Sequence, residues 1–109
     1  MVTQVNIKKG STIPAYEAVI KYDNGSAVDL TSADVYFNMG NLTDRSAYTS
    51  GIATITGSTT GDCKFNWTTV STGSVGTYWG EFEINWGSGS IMTWPNNDNI
   101  KINVFEDYN

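Results

Sequence analysis

Glu81 and Glu83 stand two positions apart in a chain that contains no histidine and a single cysteine. On an extended strand such residues share a face, roughly 7 Å apart between Cα positions. That spacing would in principle suit the paired carboxylates of a glycosidase, but the far commoner reading is a solvated strand face. Without histidine, neither a Ser-His-Asp nor a Cys-His nucleophile can be assembled, and the usual neutral-pH base is missing. One cysteine and no histidine also exclude the ordinary zinc sites. Asp98, with Asn96, Asn97 and Asn99, offers oxygens to Ca²⁺, yet one carboxylate in an asparagine-rich turn lacks the ligand spacing of a calcium loop. The glycosylation sequons Asn41-Leu42-Thr43 and Asn66-Trp67-Thr68 have no meaning without secretion. The expectation is a protein without catalytic residues, cofactor or metal.

The element that must carry the two glutamates is the stretch from Gly76 to Pro95. Tyr78, Phe82, Ile84 and Trp86 recur at every second position, the period of a half-buried strand. Gly87-Ser88-Gly89-Ser90 is a turn signal, and Ile91 to Trp94 is long enough to return as a second strand. With Ser88-Gly89 as a two-residue loop, Trp86 faces Ile91, Asn85 faces Met92, Ile84 faces Thr93 and Glu83 faces Trp94. The core face then holds Tyr78, Phe82, Ile84, Trp86, Ile91 and Thr93. The opposite face holds Trp79, Glu81, Glu83, Asn85, Met92 and Trp94. A one-residue slip would exchange the faces of the returning strand.

Further strands are predicted at Val5–Ile7, in Ala15–Tyr22 with Ala18 and Ile20 or Val19 inward, and at Val35–Met39. Others follow at 52–56, across Cys63-Phe65-Trp67, and at Ile100–Val104. Asp23-Asn24-Gly25 and Gly57–Gly61 are turns. Residues 40–51, polar and small, read as a loop; 68–74 reads as a short connection with at most one helical turn. Leu30 is expected to plug the core, with Asp29 and Thr31 holding the corner by local hydrogen bonds. Seven to eight short strands at this spacing predict an all-β, antiparallel, immunoglobulin-like β-sandwich, with a jelly roll as the alternative.

At 109 residues, the chain is expected to form one domain, 1–109, with a core that needs no disulfide. Six basic residues against eleven acidic ones, a net charge of -5, argue against nucleic-acid binding. No apolar run approaches a membrane span, and the first residues lack a signal-peptide core, so synthesis in the cytoplasm without export is expected.

An ordered set of short motifs adds a resemblance. It runs through Lys8-Lys9-Gly10-Ser11-Thr12, Asp23-Asn24-Gly25 and Val28-Asp29-Leu30-Thr31-Ser32-Ala33-Asp34-Val35-Tyr36-Phe37-Asn38-Met39. It continues with Gly61 to Trp67, Gly76-Thr77-Tyr78-Trp79-Gly80-Glu81-Phe82-Glu83-Ile84, and Thr93-Trp94-Pro95-Asn96 before Ile100. Together these resemble the N-terminal domain of phage upper baseplate (BppU-like) proteins, over nearly the whole chain. The resemblance implies an immunoglobulin-like sandwich in a virion structural protein, non-enzymatic, that docks onto tail, baseplate or capsid subunits. The family usually continues into a stalk that carries receptor-binding proteins; this chain ends at Asn109.

Two tryptophans and a methionine among carboxylates on an outer face need an explanation. The expected one is a partner interface formed by Trp79, Met92, Trp94, Glu81 and Glu83, with homo-oligomers or other virion subunits as partners. A loop of the same chain, such as 40–51, folding over them is the plainer alternative. Another is a carbohydrate-binding module that stacks sugars on exposed tryptophans, and a third is a capsid decoration protein. Whether Trp79 and Trp94 lie open or covered separates these readings.

Overall fold

The computed structural model describes residues 4–43, 46–68, 71–95 and 100–106. The Asn96–Asn99 loop, Asp44 and part of the 68–74 connection lie outside them. Nine strands form among the described residues: β1 (Gln4–Lys8), β2 (Tyr16–Val19), β3 (Asp34–Asn41), β4 (Ala47–Ile52), β5 (Thr54–Gly57), β6 (Asp62–Phe65), β7 (Gly76–Asn85), β8 (Ile91–Trp94) and β9 (Ile100–Phe105). The larger sheet runs β1-β9-β7-β3-β4, with β8 also on β7; the smaller runs β2-β6-β5. The all-β sandwich is as expected. Its strand number is not, because residues 47–52, read as part of a loop, form β4 on the edge of the large sheet. Nor is every pair antiparallel: β1 runs parallel to β9 over five register pairs.

The long strand β7 holds the large sheet together. Its first half pairs with β9, its second half with β8, and its other edge with β3 along eight register pairs. Alternation along β7 is strict: Tyr78, Gly80, Phe82 and Ile84 are buried, and the residues between them are half-buried. The buried set meets Val35, Phe37 and Met39 of β3. An aromatic cluster then joins the two sheets. The Phe37 ring lies 4.7 Å from Phe65 and 4.8 Å from Phe82, with Tyr16 and Trp67 around them. Such offset and edge contacts add to the free energy of burial itself.

The connection between β2 and β3 closes one end of the sandwich. Leu30 is fully buried, and Asp29 Oδ1 accepts from the Thr31 amide (2.9 Å) and hydroxyl (2.6 Å), as the sequence predicts. Ala18 and Ile20 turn inward, while Val19 is exposed.

Candidate functional site

The site rests on the register of the β7–β8 hairpin. The Trp86 amide donates to Ser90 O (3.0 Å) and the Ser90 amide to Gly87 O (2.9 Å), so the loop contains three residues, Gly87-Ser88-Gly89. All three have positive φ, 86°, 54° and 82°, a run that two glycines make accessible. The third loop residue shifts the returning strand by one position from the two-residue expectation. Phe82 faces Trp94, Glu83 faces Thr93, Ile84 faces Met92 and Asn85 faces Ile91.

This corrects the expected face. Met92 and Trp94 do not stand beside Trp79, Glu81 and Glu83; they lie on the opposite side of the sheet and pack against the core. Ile91 and Thr93, expected inward, are exposed. Trp94 sits 6.2 Å from the Phe82 ring, and its indole N–H donates to Lys21 O at 3.0 Å. Trp86 does the same two turns of the pleat away, donating to Asp29 O at 3.1 Å. Both tryptophans thus fasten the hairpin to the β2–β3 connection through main-chain carbonyls.

The outer face of the large sheet keeps Trp79, Glu81 and Glu83 together. Cross-strand neighbours on β3 are Gly40, Asn38 and Tyr36, with Asp34 opposite Asn85. Beyond β3, Ser50 stands opposite Asn38 and Ile52 opposite Tyr36. Trp79 faces Lys101 on its other side. The indole of Trp79 lies across Gly40: a methyl group there would fall among Cε2, Cζ2 and Nε1 of the ring. A glycine is required where an aromatic ring rests on strand backbone, and this close approach explains how a tryptophan is held on an outer face. Residues 47–52 do not fold over it, because β4 extends the same sheet sideways.

Beside the indole is a groove of about 440 Å³, lined by Asn38, Met39, Tyr48, Thr49, Ser50, Trp79 and Glu81. Partial burial, and then the neighbouring Glu83, raise the carboxyl of Glu81 above its ordinary value. Further toward β1 the face carries Lys101, beside Gln4, and a pair of internally bonded asparagines. Asn103 donates to Asn6 Oδ1 (3.0 Å), and Thr77 donates to Asn103 Oδ1 (3.3 Å). At the other end, Ile52 and Ile91 are 75% and 57% exposed.

Of the remaining reactive groups, Cys63 is buried, and burial followed by the charge of Asp62 pushes its thiol up to about 11. The thiolate that nucleophilic chemistry needs is therefore disfavoured. No group of three or more metal-ligating side chains occurs among the described residues. Gly40, Asn38 and Ser50 were not singled out from the sequence as parts of the site. For Gly40 the signal was a glycine ending an alternating strand; Ser50 gave none.

This arrangement of sheets has been seen before. The N-terminal domain of phage TP901-1 ORF48 matches with a TM-score of 0.61, covering 95% of this chain and 84% of that one, at 10% sequence identity. Identity this low speaks for the fold alone. No protein-family model matches the sequence, and no curated protein matches it significantly.

Proposed function

We propose that the chain is a non-enzymatic structural domain of a phage virion, a tail or baseplate component that docks onto other virion subunits. The observation that carries this reading is the fold likeness to a phage protein's N-terminal domain along almost the whole chain. The motif resemblance to upper baseplate proteins points the same way and is the basis for preferring the tail to the capsid. Among the described residues no helix is long and apolar enough to cross a membrane.

The docking face we propose is the Asn85 end of the outer sheet, where Ile52, Tyr36, Glu83 and Ile91 lie in neighbouring rows. Covering exposed aliphatic side chains removes apolar surface from water, which favours association. Met92 and Trp94, placed in this interface by the two-residue loop, do not belong to it.

The test is localisation in the particle. Antibody raised against the chain should label phage particles released from the strain that encodes it, with gold confined to the tail end in electron micrographs. Label over the head would replace the tail assignment by capsid decoration. A chain found in the lysate and never in purified particles would overturn the reading altogether.

A further inference from the structure

We infer that the groove beside Trp79 is a binding site for an uncharged saccharide, which stacks a pyranose ring on the indole. The inference stands on the geometry of the outer sheet face, whether or not the chain belongs to a virion. The Trp79 ring lies against the Gly40 backbone, so it is held in place, and the residue lines the groove. A fixed aromatic face carries partial negative charge and attracts the weakly positive C–H groups on one side of a pyranose.

The remaining walls supply what the hydroxyl groups of a sugar require. Asn38 offers an amide that both donates and accepts, Ser50 offers a hydroxyl, and Glu81 accepts. At about 440 Å³ the groove falls within the usual range for small-molecule sites, roughly 300–1,000 Å³. Glu81 and Glu83 share this face with the groove, which disfavours an acidic sugar. A quaternary ammonium ligand would want a cage of several rings. Here the other aromatic residue among the described lining residues, Tyr48, has its ring stacked on Tyr78 at 4.9 Å.

The experiment is an NMR titration of isotopically labelled protein with neutral oligosaccharides of glucose, galactose and N-acetylglucosamine. A uronic-acid oligomer and choline serve as comparisons. At least one neutral oligosaccharide should shift the Trp79 indole N–H together with the Asn38 and Ser50 amides, with Kd on the order of millimolar. Trp79→Ala should weaken binding about tenfold or more. Should that variant unfold, Ser50→Tyr, which fills the groove from an exposed edge-strand position, should abolish the shifts and leave the melting curve in place. No shift with any neutral sugar, shifts that survive Ser50→Tyr, or tighter binding of the uronic acid or choline would each overturn the assignment.

Discussion

Replacing Trp94 by alanine separates the two faces of the hairpin more sharply than any other change. Trp94 is half-buried against the core, touches Phe82 and donates one hydrogen bond to Lys21 O. Truncating a fully buried aromatic side chain costs about 3–5 kcal/mol, so roughly half of that, about 2 kcal/mol, applies here. The hydrogen bond adds about 1 kcal/mol. Its loss carries no further penalty, because Lys21 is exposed and water can take over its carbonyl. The sum is about 3 kcal/mol, within the roughly 5–15 kcal/mol that holds a typical domain together. A thermal melt followed by near-UV circular dichroism should therefore drop by about 12 °C or more, with the variant still folded in the cold. Trp94→Phe, which keeps a ring and loses the donor, should lie between wild type and Trp94→Ala. Ile91→Ala, the next-but-two residue on the opposite face, should cost less than about 1 kcal/mol. A Trp94→Ala variant no less stable than Ile91→Ala would refute the three-residue loop and return Trp94 to the outer face.

Three further outcomes are expected. In urea melts, Phe82→Ala should cost about 3–5 kcal/mol, because Phe82 is fully buried among aromatic rings; Glu83→Ala, its outward neighbour, should cost well under about 1 kcal/mol. Gly40→Ala should cost about 1–3 kcal/mol by pushing the Trp79 ring off the strand, and much less in a Trp79→Ala background; a double-mutant cycle without coupling would mean that the ring does not lie there. Glu81 holds its proton to higher pH in the folded state than its ordinary 4.5. The stability this contributes is present below pH 4.5 and is lost as pH rises through the folded-state value. Glu81→Gln should flatten that part of the pH–stability curve and be at least as stable as wild type at neutral pH.

Most of the core was readable because period-2 alternation is strong wherever one face is apolar, as in Val35-Phe37-Met39 and Phe82-Ile84. The corner at Asp29-Leu30-Thr31 was readable for a local reason, a carboxylate that can reach a hydroxyl and an amide two residues on. β4 was not. Ala47-Tyr48-Thr49-Ser50-Gly51 carries little apolar alternation, because an edge strand pairs with only one neighbour. A bulge opposite Met39 and Gly40 further breaks its period. The facing of Met92 and Trp94 turned on a single residue. Gly87, Ser88, Gly89 and Ser90 all tolerate a turn, so composition could not say whether two or three of them form the loop. That choice alone decides the side on which Met92 and Trp94 lie. Trp79, Glu81 and Glu83 kept their face because their positions depend on β7 and not on the loop.

The parallel pairing of β1 with β9 has a mechanical consequence. Gln4 lies beside Lys101 and Lys8 beside Phe105, so the chain enters this pair of strands at one end and leaves it at the other. Tension applied through the two flanks therefore slides the strands along each other instead of peeling them apart. The evenly spaced hydrogen bonds of a parallel ladder then bear the load together, and rupture must break them nearly at once. An antiparallel pair pulled from the same end would open one bond at a time, at lower force. Single-molecule pulling through residues flanking β1 and β9 should accordingly meet its main resistance at this seam, ahead of any extension of β7.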